Sequence, residues 1–119
     1  MTTALRVAKA HAYGNDFLFV ASGAALAARV QEPDLARQLC ARHTGAGGDG
    51  LILYEPRDRG ATMRLFNADG SASELSGNGL RCLAALIAQK QNLHVGDAVT
   101  VDTTAGIKTL ELQIGRAHV

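Results

Sequence analysis

The residues of this chain that are best suited to chemistry are Ser76–Gly79, a Ser-Gly-Asn-Gly corner in front of an apolar, helix-like run. A hydroxyl placed there faces the unpaired N–H groups of a helix N-terminus, which attract anions such as carboxylate or phosphate. Ser and Asn are also favoured N-caps, and a cap stabilises a helix by about 1 kcal/mol without any other role. Two glycines around one Asn exceed what a cap needs, because they let a ligand approach the backbone closely. The spacing therefore leaves a site and a simple cap equally open.

Three asparagines fall at predicted ends of strands or helices: Asn15, Asn67 and Asn78. Turn chemistry explains Asn15 or Asn67 alone, because a short amide side chain bonds its own backbone. Together the three amides suit one polar ligand. His11 and His43 have no sequence partners that indicate a metal site or a catalytic triad, so no metal is predicted.

The glycine-rich segment Gly45–Gly50 fits the dinucleotide pattern G-x-G-x-x-G literally. That pattern binds a pyrophosphate only when it follows a strand and opens a helix. Here a predicted helix precedes it and a predicted strand follows. We therefore reject a nucleotide site and expect a flexible loop that lines something else.

The element that must position the corner is a helix beginning near Gly79. Its apolar residues form one stripe, and few polar residues occupy the remaining face, which is typical of a buried helix. One further helix is predicted at Pro33–Arg42, with Pro and acidic residues in its first turn. Strand neighbours are mostly joined by turns too short for parallel crossovers. The sequence thus predicts an α+β domain with a mostly antiparallel sheet packed on or around the Gly79 helix. The predicted strands are Leu5–Ala12, Phe17–Ala21, Leu51–Tyr54, Thr62–Phe66, Ala98–Thr103 and Ile107–Leu112.

The composition is that of an ordinary globular domain, with 119 residues, 47% apolar and 19% charged. Twelve basic and eleven acidic residues give a formal charge of +1, which provides no electrostatic case for nucleic acid or a membrane surface. Cys40 and Cys82 are too few for a disulfide framework or a zinc site, so we expect a reducing cytoplasm.

Four motifs carry a resemblance to a known family. They are YGNDF at Tyr13–Phe17, RHTGAGGDGLIL at Arg42–Leu53, FNADGS at Phe66–Ser71 and SGNGLRC at Ser76–Cys82. In order and spacing they resemble the N-terminal half of the diaminopimelate epimerases, over roughly residues 5–113. The wider superfamily includes proline racemase, hydroxyproline epimerases and an isomerase of phenazine synthesis.

The resemblance implies a cofactor-free epimerase that interconverts LL- and meso-diaminopimelate in lysine biosynthesis. It implies two similar domains, each a curved sheet around a central helix, with the amino-acid substrate between them. A thiolate of one domain removes the α-proton and a thiol of the other returns one to the opposite face. The implied partners are the substrate, a C-terminal domain and a second copy in a homodimer, in the cytoplasm, with no nucleic acid and no membrane.

Carried onto this chain, the resemblance makes Asn15 and Asn67 ligands of the amino or distal groups of the substrate. Gly77 and Asn78 donate backbone N–H groups to its α-carboxylate. The catalytic base position holds Ser76, where the family pattern has cysteine. A hydroxyl is a far weaker acid than a thiol, so three alternatives stay open: an unseen base, altered one-base chemistry, and a laboratory substitution. Relatives with Ser or Thr here are associated with hydroxyproline epimerisation or dehydration, and a non-catalytic carboxylate-binding domain is a further alternative.

The resemblance also predicts the domain organisation. Residues 1–113 match one of the two epimerase domains, and residues 114–119, IGRAHV, resemble a translated adapter scar or a strand end. Because the second domain would supply one wall of the cleft and one proton-transfer group, we expect this chain alone to be inactive.

Overall fold

The computed structural model describes residues 5–12, 14–113 and 116–118. The described residues form a single seven-stranded sheet, with the strands in chain order, and three helices. The elements are β1 (Ala8–Ala12), β2 (Asn15–Ala21), α1 (Ser22–Ala27), α2 (Glu32–Cys40), β3 (Gly50–Arg57), β4 (Gly60–Asn67), α3 (Gly77–Gln91), β5 (Ala98–Thr103), β6 (Gly106–Gln113) and β7 (Arg116–His118).

The sheet curves around α3, which confirms the predicted fold class. Helix α3 contacts both edge strands, β1 and β7, as well as strands between them. Its residues Leu80, Leu83 and Ile87 are almost completely buried. They pack against the inner face of the sheet in one apolar core. The helix is therefore the central element of the domain.

The strands pair mostly antiparallel, as predicted, but two pairs are parallel. Strand β2 runs parallel to β3, and β4 runs parallel to β5. Each parallel pair is joined through helices: α1 and α2 in the first case, and α3 in the second. Both connections are therefore βαβ crossovers, which place α1 and α2 on the outer face of the sheet and α3 on the inner face.

Strand β2 is buried on both faces, and this explains its continuous apolar run. Phe17 and Phe19 face α3 in the inner core. Leu18 and Val20 belong to a second apolar cluster on the outer face, beneath α1 and α2. Alternate side chains of a strand point to opposite faces, so a strand covered on both sides needs apolar residues at every position.

Several bounds differ from the sequence predictions. Strand β1 begins at Ala8 rather than Leu5, and α2 occupies Glu32–Cys40 rather than Pro33–Arg42. Helix α1 was not predicted; it is six residues long, no side chain caps it, and Ala25 is its one buried residue. Its pattern is too short to produce a helical period. Tyr13 of the first motif lies outside the described residues.

The last described strand, β7, lies in the segment that the sequence assigned to a tail. It pairs antiparallel with β6. Among the helices that the structure describes, none is long and apolar enough to cross a membrane.

Candidate functional site

Ser76 is the N-cap residue of α3. Its backbone is extended, with φ −103° and ψ 123°, and its Oγ accepts a hydrogen bond from the N–H of Gly79 at 3.2 Å. Its carbonyl accepts the N–H of Leu80 at 2.9 Å. The capping role that the sequence allowed is therefore present. Ser76 thus accepts the N–H groups of Gly79 and Leu80, and those of Gly77 and Asn78 remain to be considered.

The N–H groups of Gly77 and Asn78 are the candidate anion donors. Within the described part of the chain, the structure gives neither group an acceptor, as expected for the first positions of a helix. The first turn of α3 has no acidic residue. The Arg81 side chain reaches back to this end: its Nη1 donates to Asn78 Oδ1 at 3.2 Å, and it lies 3.7 Å from where a Cβ of Gly77 would be. A helix N-terminus and a guanidinium thus both favour an anion here.

Gly79 lets the start of α3 lie directly on the sheet. A Cβ at this position would lie 3.1 Å from Ile52 Cδ1 and 3.4 Å from Phe17 Cε1. The closer contact is tighter than ordinary packing, so a methyl group here would require the Ile52 side chain or the helix end to shift. The glycine therefore lets the candidate anion donors lie close to β2 and β3.

The two asparagines Asn15 and Asn67 lie at the same end of the sheet as the start of α3. Asn15 begins β2 and Asn67 ends β4. In the strand register, Gly50 of β3 lies between Phe17 and Asn67. Phe17 and Leu65 face α3, and side chains two residues apart share a face. Asn15 and Asn67 are therefore on the α3 side, and all five predicted site residues are gathered at one end of the domain.

An ion-pair cluster behind this end was missed by the sequence reading. Arg42 donates through Nη1 to Asp16 Oδ2 and through Nη2 to Asp49 Oδ1, each at 3.1 Å. The N–H of Asp16 donates to Asp49 Oδ2 at 2.7 Å, and the N–H of Asp49 donates to the carbonyl of Asp16 at 2.8 Å. The cluster ties the start of β2, next to Asn15, to the start of β3. Its only sequence signal is that all three residues lie within the family motifs.

The glycine-rich loop closes the C-terminus of α2 and does not cradle a ligand through these N–H groups. The N–H groups of Gly45, Gly47 and Gly48 donate to the carbonyls of residues 41, 39 and 40, at 3.0–3.1 Å. A Cβ at Gly45 would lie 2.7 Å from the carbonyl oxygen of Leu39. These bonds form because the last carbonyls of a helix need donors and this loop supplies them, while the expected flexibility of the loop stays a prediction.

Neither cysteine is placed to act as a base. Cys40 and Cys82 are both free and buried. Burial raises the pKa of the Cys82 thiol, and burial likewise raises that of Cys40, with a smaller opposing effect from Arg42. Both are therefore thiols of the apolar core. Within the described residues, no group of His, Cys, Asp and Glu is arranged to hold a metal ion.

Comparison with known proteins gives one consistent family. The family model described as diaminopimelate epimerase matches residues 7–118. A diaminopimelate epimerase of Desulfitobacterium hafniense is 44% identical over 112 residues, which cover 92% of this chain and 39% of that protein. A chloroplastic diaminopimelate epimerase of Oryza sativa subsp. japonica is 41% identical and is covered over 31% of its length. The chain thus spans about two fifths or less of these relatives.

Solved structures support the fold. A phenazine biosynthesis protein of the PhzF family from Enterococcus faecalis matches 84% of this chain and 35% of its own, with a TM-score of 0.57 and 11% identity. A PhzF-family protein of Bacillus anthracis matches 87% of this chain and 33% of its own, with a TM-score of 0.54 and 20% identity. At these identities the similarity concerns the fold alone. The motifs, the sheet curved around α3 and the family match over residues 7–118 agree, and the chain belongs to the diaminopimelate epimerase family.

Proposed function

We propose that this chain is the N-terminal domain of a cofactor-independent amino-acid epimerase that interconverts LL- and meso-diaminopimelate. The observation that carries the proposal is that two N–H groups without an acceptor among the described residues, those of Gly77 and Asn78, lie at the same end of the sheet as Asn15 and Asn67. The cytoplasm and lysine biosynthesis are part of the same proposal, and the two free cysteines support a reducing compartment.

In the proposed reaction, the α-carboxylate of the substrate lies at the start of α3. Removal of the α-proton leaves carbanion-like charge that must spread into this carboxylate, because no electron-accepting cofactor takes part. The N–H groups of Gly77 and Asn78, the positive end of the α3 dipole and the nearby Arg81 guanidinium stabilise that charge. Since these groups are held by Gly79 against the sheet, they do not have to reorganise during the reaction.

Ser76 occupies the position at which the proposal needs a base. Among the described residues, its Oγ accepts from the N–H of Gly79 and has no base as a partner for its proton. A serine without such a partner is a poor base. This observation favours a second candidate function: a superfamily relative that acts on a hydroxyproline-like amino acid through altered one-base chemistry, as an epimerase or a dehydratase.

The test uses a hybrid protein in which residues 1–113 are joined to the C-terminal part of the Desulfitobacterium hafniense relative. Deuterium incorporation at Cα from D2O is measured with LL-diaminopimelate and with hydroxyproline. Exchange with diaminopimelate supports the first function, and exchange at or loss of water from hydroxyproline supports the second. Binding of either compound without deuterium exchange would contradict both candidate functions and would indicate a non-catalytic carboxylate-binding domain.

The matched variant is Ser76→Cys in the same hybrid. If the thiol is the missing base, this variant raises exchange with diaminopimelate above that of the unsubstituted hybrid. The chain 1–119 by itself is expected to show no exchange, since the proposed second proton-transfer group belongs to the other domain. Measurable inversion by the purified chain would contradict that expectation.

A further inference from the structure

The exposed side chain of Asn67 belongs to a short relay of hydrogen bonds that fixes the orientation of its amide. Asn67 Nδ2 donates to Ser71 Oγ at 3.0 Å, and Ser71 Oγ donates to Asp69 Oδ1 at 2.6 Å. The N–H of Ser71 also donates to Asp69 Oδ1, at 2.9 Å. The relay lies in the turn that follows β4, within the motif FNADGS.

The direction of these bonds follows from the chemistry of the three groups. An ionised carboxylate accepts hydrogen bonds and donates none. The two bonds from Ser71 lower the pKa of the Asp69 carboxyl, so it is ionised at neutral pH. The single hydroxyl proton of Ser71 is therefore used on Asp69, and Ser71 Oγ can only accept from Asn67. The amide of Asn67 must place its nitrogen on Ser71, and its Oδ1 points away from the relay.

The backbone of the turn is fixed independently of the relay. The N–H of Asn67 donates to the carbonyl of Ser71 at 2.8 Å, and the N–H of Gly70 donates to the carbonyl of Asn67 at 2.9 Å. Arg37 of α2 donates through Nη1 to the carbonyl of Asp69 at 3.0 Å. Loss of the Ser71 hydroxyl alone would therefore keep these backbone bonds of the turn and remove the two bonds of Oγ, to the Asn67 amide and to the Asp69 carboxylate.

We propose that Ser71 and Asp69 are positioning residues that present Asn67 Oδ1 as a hydrogen-bond acceptor for an ammonium group of the substrate. Within the described residues, no protein donor is bonded to this oxygen. An amide oxygen accepts from an ammonium group and repels a carboxylate, so its orientation separates the two ends of an amino acid. This inference rests on the proposed function for the identity of the ligand, while the relay itself is a property of the chain.

The relay is tested first in the chain 1–119 by NMR of the Asn67 side-chain amide. We expect the two Hδ2 protons to have well-separated shifts, with one exchanging slowly because it is bonded to Ser71. Ser71→Ala should bring the two signals together and speed exchange, and Ser71→Thr, which keeps the hydroxyl, should restore the pattern. An Asn67 amide that is unchanged by Ser71→Ala would overturn the relay.

The ligand is tested in the hybrid protein with diaminopimelate as substrate and pimelate as competitor. Pimelate has the same two carboxylates and no ammonium group. Loss of one neutral hydrogen bond corresponds to a factor of roughly three to ten in binding. Ser71→Ala should therefore raise KM for diaminopimelate by about that factor and leave the inhibition constant of pimelate unchanged, with recovery in Ser71→Thr. An equal loss for both compounds would show a merely structural role and overturn the assignment.

The two arms separate the possible failures. An inactive unsubstituted hybrid would contradict the proposed function, whereas the amide signals of the chain would still decide the relay. If the hybrid is active and its Ser71→Ala variant keeps the same preference for diaminopimelate over pimelate, the proposed ammonium contact alone is contradicted.

Discussion

Replacement of Ser76 by cysteine turns the start of α3 into a measurable probe of its own electrostatic field. Ser76→Cys places a thiol where the hydroxyl now accepts the N–H of Gly79. A thiolate there would receive the same hydrogen bond and would face the N–H groups of Gly77 and Asn78. The guanidinium of Arg81 lies beside the same turn. Each of these groups favours the charged form, so the pKa of the introduced thiol should be below that of an ordinary cysteine.

The size of the shift follows from the helix end. A charge at a helix terminus is stabilised by about 0.3–1 kcal/mol when exposed, and by up to roughly 2 kcal/mol when partly buried. One pKa unit corresponds to about 1.4 kcal/mol, so the expected shift is about 0.2–1.5 units below the usual value of roughly 8.5. Because Ser76 is half-buried and capped by a direct N–H bond, we expect the upper part of this range.

The assay is the rate of alkylation by iodoacetamide as a function of pH, with the modified residue identified by mass spectrometry. The two native thiols are buried and serve as slow internal references. Thr104→Cys, in the exposed turn between β5 and β6, is the matched control for an ordinary thiol. Adding Arg81→Gln to Ser76→Cys should raise the pKa of the introduced thiol part of the way towards that of the Thr104→Cys control. A pKa at or above that of the Thr104→Cys control would refute the view that this helix end is arranged for an anion.

Three further predictions concern stability, each measured as the free energy of unfolding in urea. Leu83→Ala should destabilise the chain by about 2–5 kcal/mol, because Leu83 is fully buried on α3, whereas Leu26→Ala, at an 82% exposed position, should stay within about 0.5 kcal/mol. Gly70→Ala should lower the free energy of unfolding by on the order of 2–4 kcal/mol, because φ is +90° and a Cβ would lie 2.7 Å from a carbonyl oxygen of α2. The control Gly23→Ala places its methyl group in open space and should be neutral or stabilising. Equal effects of the two substitutions would contradict this geometry. Stability should fall as pH rises above about 9, because burial raises the pKa of both thiols and of Tyr54 in the folded chain. In that range the unfolded chain has lost these protons while the folded chain still holds them, so rising pH favours unfolding. A free energy of unfolding that stays constant between pH 8 and about 10.5 would contradict the prediction.

The features that the sequence predicted are those with a local cause. Helix α3 was predictable because a capping serine precedes an apolar run with a helical stripe. The hairpin of β5 and β6 was predictable because apolar and polar residues alternate around a short turn. The glycine at position 79 was read as surplus to a cap, and the structure gives its physical reason: the helix end lies against Phe17 and Ile52.

The features that the sequence did not predict depend on residues far apart in the chain. The parallel pairing of β2 with β3 follows from the path of α1 and α2 across the outer face of the sheet. The residue pattern of either strand does not indicate this pairing. Arg42 joins Asp16, 26 residues away, to Asp49, so its role exists only after the strands have paired. The closure of α2 by the glycine-rich loop has a different cause: its N–H groups donate to carbonyls only four to eight residues earlier, and glycine content alone does not indicate which groups they bond.

The proposed function assigns carboxylate binding and proton transfer to different groups within one turn of α3. The proposed anion donors are backbone groups of Gly77 and Asn78, and their position depends on the contact of Gly79 with the sheet rather than on the side chain at position 76. Serine satisfies the cap through Oγ, so the helix end keeps its geometry without a thiol. Under the proposed function, the replacement of the family's cysteine by Ser76 therefore changes the base and leaves the carboxylate site intact. Stability and ligand binding alone therefore cannot distinguish an epimerase domain from a binding domain, whereas the charge state of the side chain at position 76 and deuterium exchange at Cα can.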